Sequence, residues 1–272
     1  MNDIVNAHPH PEQIPINNRM LYIHRVIMKA LSFFVFGLGS LLLAFPVIPV
    51  LSLIFHPAEN FSNKTRRLIS ASFRFFIGMM KLMGIVEFEA PQKEFFKTLI
   101  SKIIVANHPS LLDIVMIISL IPNADVIVQG RGYVRNTILG GVIKRLYVLN
   151  TLNFEEMTAA CKESLAKGNC MVIFPEGTRT PRSEKMRLKK GAARLSLLAG
   201  AEIVVAHIGG TDKYGLGKKD PFFSFNHNDK YVYRITFQKI ISPHQFAGIE
   251  IHRAVRRIND QILESFQNPN IP

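Results

Sequence analysis

The distribution of apolar and charged positions divides the 272-residue chain into two unlike parts. From Ala30 to Phe45 sixteen residues run without a charge, about 24 Å as a helix, against a bilayer hydrocarbon core of roughly 30 Å. Pro46 and Pro49 are expected to interrupt that helix, after which the apolar run resumes to Phe55. Arg19, Arg25 and Lys29 on one flank and Lys64, Arg66 and Arg67 on the other give both sides the basic character of a cytoplasmic flank. The pattern favours a bent, shallow hairpin that enters one leaflet and returns, over a Pro-kinked single span. Phe73 to Met83 reads as a further amphipathic helix, either lying at the interface or packed on the domain that follows. A cleaved signal peptide is not expected, because the region before the run is long and holds Asp3 and Glu12.

From Ile85 onward short apolar strands alternate with helices. Strands are expected at 86–89, 103–106, 124–129, 146–149, 171–174, 202–208 and 231–240. Helices are expected at 109–120, 136–144, 154–167 and 190–199 and within 243–266. This order predicts an α/β fold, a twisted mixed sheet covered by helices. Residues 1–84 then form an N-terminal membrane-associated helical region and residues 85–272 a catalytic domain.

Charge and composition narrow the possible partners. Lys and Arg exceed Asp and Glu by 33 to 20, which attracts nucleic acid, an anionic bilayer or a phosphorylated substrate. A mean hydropathy of +0.16 shifts the weight to a membrane surface. Nucleic acid is disfavoured because aromatic and basic residues do not interleave as a stacking platform would require. Cys161 and Cys170 fit neither a disulfide framework nor a CxxC pair, so both read as reduced core residues on the cytoplasmic side of a membrane. No metal and no cofactor are expected, since the histidines do not fall at ligand spacings. Gly215-Leu216-Gly217-Lys218-Lys219 lacks the P-loop spacing.

Two constellations carry chemistry. In Asn107-His108-Pro109-Ser110-Leu111-Leu112-Asp113 a histidine and an aspartate stand five residues apart. A neutral imidazole accepts a hydroxyl proton, and a carboxylate on its other nitrogen fixes the tautomer and stabilises the imidazolium. The spacing is feasible if His108 lies in the turn before a helix and Asp113 one turn inside it, with Asn107 holding the turn through a side-chain to backbone bond. Ser110 reads as an N-terminal helix residue and not a nucleophile, because no GxSxG elbow is present. The second constellation is Phe174-Pro175-Glu176-Gly177-Thr178-Arg179, at the end of a strand. Gly177 allows close backbone approach, Thr178 offers a hydroxyl, and the Arg179 fork suits a phosphate. Glu176 either orients Arg179, accepts a substrate hydroxyl, or caps a loop.

Together these strings resemble the NHxxxxD and FPEGTR blocks of the glycerolipid and lysophosphatidic acid acyltransferase family, over about Ile103 to Ile208. The resemblance implies a twisted sheet wrapped by helices with a membrane-bound helical pair. It implies that a hydroxyl of a lysophospholipid such as 1-acylglycerol-3-phosphate attacks an acyl thioester of CoA or acyl carrier protein. His108 is then the general base, Asp113 its orienting partner, and Glu176, Gly177, Thr178 and Arg179 the phosphate-holding loop. The implied setting is the cytoplasmic face of a membrane such as the bacterial inner membrane. Between the blocks the chain departs from the family: Arg131 stands in for a usual lysine, with Arg135 or Lys144 as helpers. A second usual arginine is missing at Asn150-Thr151, and Val204-Val205-Ala206-His207-Ile208 carries a histidine in place of a proline. These changes leave a specialised lipid acceptor as the alternative substrate. The basic run Arg179, Arg182, Lys185, Arg187, Lys189, Lys190 and Arg194, opposed only by Glu184, offers contacts to lipid headgroups or an acidic carrier protein.

Overall fold

The computed structural model describes residues 11–55, 58–128, 148–149, 153–182 and 184–270. Among the described residues seven strands form one sheet: β1 (Val86–Glu89), β2 (Ile103–Ala106), β3 (Ala124–Val128), β4 (Val148–Leu149), β5 (Cys170–Ile173), β6 (Ile203–Gly210) and β7 (Tyr231–Ile241). Their order is β1-β7-β6-β2-β5-β3-β4. Every neighbouring pair is parallel except β6 and β7, which are antiparallel. The mixed, helix-covered sheet expected from the alternating pattern is therefore the one observed. The expected helix at 136–144 lies outside the described residues, as does Arg131.

Both faces of the central strands are buried, which is why β2, β5 and β6 read as continuous apolar runs. Residues of one parity, Ile104, Ala106, Val172 and Val204, pack towards helices α3 (Ala58–Leu82) and α5 (Asp113–Leu120). The other parity, Ile103, Val105, Met171 and Ile203, packs towards α6 (Phe154–Ala166), α7 (Gly191–Ala199) and α8 (Ile251–Gln267). A short α4 (Lys93–Thr98) precedes β2. Cys161 and Cys170 sit in this interior as free thiols, and burial pushes the Cys161 thiol up to about 12.

The N-terminal helices correct two expectations. Helix α1 (Arg19–Leu42) does not stop at Pro46; five residues of π-helix (Leu43–Val47) carry the proline and lead directly into α2 (Ile48–Ile54). The chain runs from α1 through the π-turn into α2 without a break, with the Ile48 N–H bonded to the Leu43 carbonyl, so neither Pro46 nor Pro49 ends the helix. Arg19 to Ile54 is thus one bent apolar helix, long enough to cross a membrane by length and composition. The second helix is also longer than Phe73–Met83 and returns antiparallel: Phe36 packs on Phe73 and Phe76, and the Lys64 ammonium sits 3.5 Å from the Phe55 ring centroid. Its inner face lies on β3 and α5, where Arg66 pairs with Asp125 at 3.0 Å and Arg74 donates to the Ser119 carbonyl.

At the end of β6 the chain turns with Gly210 at φ +100°, and a Cβ there would stand 1.8 Å from the Val232 carbonyl oxygen. Gly210→Ala must break the β6–β7 register at its site-facing end. It is expected to lower unfolding free energy by about 3 kcal/mol, read as a fall in the urea midpoint. A loss below about 1 kcal/mol would mean this end of the ladder opens freely.

Candidate active site

Because β2 and β5 are adjacent and parallel, the loops leaving their ends meet although 68 residues separate His108 from Glu176. Asn107 continues β2 by side chain: its Nδ2 donates to the Ile208 carbonyl at 3.0 Å and its Oδ1 accepts the Ile208 N–H at 2.7 Å. The asparagine therefore grips the neighbouring strand, not its own turn. This delivers His108 to the C-terminal end of the central strand β2, with its ring stacked on Phe174 at a centroid distance of 4.2 Å.

His108 Nδ1 lies 2.9 Å from Asp113 Oδ2. Asp113 is fully buried and also accepts the Ser110 N–H on Oδ2 at 2.6 Å and the Ser110 hydroxyl on Oδ1 at 2.5 Å. Two Ser110 donors converging on one buried carboxyl, one on each oxygen, identify it as a carboxylate acceptor. His108 must then carry its proton on Nδ1, which leaves Nε2 as the basic nitrogen. Helix α5 begins at Asp113 and not at Pro109. Residues 107–112 spread into a turn because the Asp113 carboxylate caps Ser110 from the helix start.

Behind the pair lies a buried layer that local sequence pattern did not reveal. The Ser110 hydroxyl, already donating to Asp113, accepts from Tyr233 at 2.7 Å. The Lys213 ammonium lies 4.6 Å from the Tyr233 ring centroid and donates to the carbonyls of Val232 (2.8 Å), Gly209 (3.4 Å) and Thr211. Burial pulls the Lys213 ammonium down to about 8, opposed by the charges of Asp113 and Asp212. Burial, with the Asp113 charge added, raises the Tyr233 phenol well above its usual range, so it serves as a neutral donor. Nothing in the strings around positions 213 and 233 marks them, since their contacts depend on β7 crossing beside β6.

Glu176 is buried and has a specific task. Its Oε1 accepts the His108 backbone N–H at 2.7 Å, while Thr180 donates to Oε2. It locks the two motif loops together, a role that differs from orienting Arg179 or taking a substrate hydroxyl. Gly177, at φ +73°, packs against the Lys189 side chain, and the Lys189 N–H closes the excursion on the Pro175 carbonyl at 2.7 Å.

A cavity of about 870 Å³ opens here, with His108, Glu176, Thr180, Arg182, Gly217 and Lys218 among its walls. Thr178, Arg179 and His207 are not in its lining. Arg179 stands directly behind the wall, its Nη1 donating to the Leu216 carbonyl at 3.0 Å and the Gly217 carbonyl at 3.3 Å. Arg182 is held by both oxygens of Asp212 and by Asp220 Oδ1. Lys218, partly exposed, is a further cation of the lining. Among the described residues no group of three or more His, Cys, Asp or Glu side chains is placed to hold a metal ion.

Residues 87–209 match the family model described as Acyltransferase. Over that stretch, somewhat less than half of the 272 residues, the chain is similar to the acyltransferase family. The matched stretch begins earlier than the motif resemblance, at β1, and ends inside β6. A 1-acyl-sn-glycerol-3-phosphate acyltransferase of Cocos nucifera is 29% identical over 119 residues, 40% of this chain; the match spans 37% of the coconut protein's length. The crystal structure of the 1-acyl-sn-glycerophosphate acyltransferase PlsC from Thermotoga maritima superposes with a TM-score of 0.63 at 18% identity, covering 90% of this chain and 97% of that one. The fold shared with that structure thus extends over the N-terminal helices as well as the sheet.

Proposed function

We propose that this protein moves a fatty acyl group from a CoA or acyl-carrier-protein thioester to a hydroxyl of a lysophospholipid such as 1-acylglycerol-3-phosphate. The observation that carries this reading is the His108–Asp113 contact at 2.9 Å, with the imidazole on the wall of a cavity large enough for a lipid headgroup. Nε2 takes the proton of the acceptor hydroxyl as its oxygen attacks the thioester carbonyl. The C–S bond then breaks, and the imidazolium returns the proton to the departing thiolate. No acyl-enzyme is needed. Residues 1–84 dock the catalytic domain on a membrane, on its cytoplasmic face, through the apolar hairpin.

The acceptor's phosphate lies against the Gly217–Lys218 wall, with Arg179 behind it and Lys218 beside it. Arg179→Ala is expected to raise KM for 1-acylglycerol-3-phosphate about tenfold with kcat little changed, the pattern of lost ground-state binding. A monoacylglycerol lacking the phosphate serves as control: it should not distinguish the variant from the parent. Equal KM values with both acceptors would remove the arginine from phosphate binding.

The test of the whole reading is thiol release from acyl-CoA and acyl-carrier-protein thioesters of several chain lengths, with a panel of lysolipids and labelled product analysis. Thiol release that depends on a lysolipid acceptor supports the reaction. Release without any acylated lipid would make the protein a thioesterase instead.

A further inference from the structure

The loop between β6 and β7 has one side in the active-site wall and the other in the apolar surface of α1. Gly217 and Lys218 line the cavity. Five residues further on, Phe222 and Phe223 are 46% and 74% exposed. Phe222 meets Phe33 of α1 edge-on at 5.6 Å between centroids. Beside Phe33 runs the outward stripe of that helix, with Ile27, Leu31, Phe34 and Leu38 all exposed. Isolated exposed phenyl groups are ordinary on a protein surface, but two adjacent ones joined to a helix-long apolar stripe form a continuous patch.

The loop is held rigidly in that position. The buried Lys29 ammonium of α1 donates to the Gly215 carbonyl at 3.2 Å and to the Ser224 carbonyl, pinning both ends of the loop to the helix. Asp220 Oδ2 accepts the N–H groups of Gly215 and Gly217, both at 2.9 Å. Gly215 has no room for a side chain, since a Cβ would lie 2.2 Å from the Ser224 carbonyl oxygen. Two lysines, Lys218 and Lys219, precede the two phenylalanines. Basic residues beside exposed aromatics suit the boundary between anionic headgroups and acyl chains.

We propose that residues 218–223 form a second membrane contact, which seats the mouth of the active-site cavity in the headgroup layer of an anionic bilayer. The proposal rests on the membrane-docking reading above and adds to it a specific site. A lysolipid then reaches His108 with its acyl chain still in the bilayer. The same loop that Arg179 holds by its carbonyls touches the membrane, so headgroup binding and membrane contact share one rigid element.

The chain contains no Trp, so single-Trp variants report position without further engineering. Phe223→Trp, Leu53→Trp at the tip of α2 and Leu198→Trp on α7 are compared on vesicles of phosphatidylcholine and phosphatidylglycerol with brominated acyl chains. Phe223→Trp and Leu53→Trp are expected to shift to shorter wavelength and lose most of their emission, while Leu198→Trp keeps its own. Quenching of Leu53→Trp without Phe223→Trp overturns the loop contact and leaves membrane docking standing. Quenching of neither overturns both. As a second measure, Phe222→Ser/Phe223→Ser should weaken vesicle partition by roughly tenfold, the loss expected from two half-inserted phenyl groups, with its circular dichroism unchanged. Unchanged partition would also sink the contact.

Discussion

Alanine at position 108 is expected to lower kcat/KM for acyl transfer by about a thousandfold, the contribution of a well-placed general base. The prediction follows from the arrangement around the ring. Asp113 occupies Nδ1 at 2.9 Å, Phe174 holds the imidazole plane at 4.2 Å, and the Glu176 carboxylate fixes the backbone N–H of the same residue at 2.7 Å. The residue is therefore held by three side chains from two elements, α5 and the loop after β5, before any substrate arrives. That is how a base acts without first losing freedom. Fold stability should change little, because the Asp113 carboxylate keeps both bonds from Ser110. Measured kcat/KM and a thermal unfolding curve on the same preparation separate the two effects. Turnover within tenfold of the parent in a folded His108→Ala protein would exclude the imidazole as base.

What the sequence made legible was chemistry carried by short strings. His108, Asp113 and Glu176 lie within two loops whose residue types suffice to suggest a base, its partner and a ligand loop. The strand and helix order was readable because both faces of β2, β5 and β6 are buried, which leaves uninterrupted apolar runs between polar turns. Features set by distant pairings were not. Tyr233 reaches Ser110, and the Lys213 ammonium comes within the field of Asp113, only because β7 lies antiparallel beside β6. Asn107 bonds to Ile208 across 101 residues, a partner that spacing cannot indicate. Pro46 misled for another reason: proline forbids one hydrogen bond, and a π-turn has another way to satisfy the ladder. Arg179 was readable as a cation, but its bonds to the carbonyls of Leu216 and Gly217 place it one layer behind the cavity surface.

Asp113→Asn is expected to lower kcat by about a hundredfold to a thousandfold, and the geometry says why the loss should be smaller than for the missing base. Oδ2 takes two donors, the His108 Nδ1–H and the fixed Ser110 N–H, whereas Oδ1 takes only the rotatable Ser110 hydroxyl. An asparagine therefore places its carbonyl oxygen at the Oδ2 position and its NH2 towards Ser110. The serine hydroxyl can turn to accept from that NH2 and donate to Tyr233, since its bond to Tyr233 is possible in either direction. His108 keeps its tautomer, and what disappears is the negative charge facing the imidazolium in the transition state. At the effective dielectric of a protein site, about 20, a pair some 4 Å apart loses about 4 kcal/mol, which sets the upper end of the range. Lys213 supplies an independent readout. Asp113 is the foremost charge raising its pKa against burial, so the substitution should lower the Lys213 pKa further below about 8, visible by NMR titration of its side-chain signals. Turnover within about threefold of the parent, with the Lys213 titration moved as expected, would show that the carboxylate orients the ring and that its charge does not stabilise the transition state.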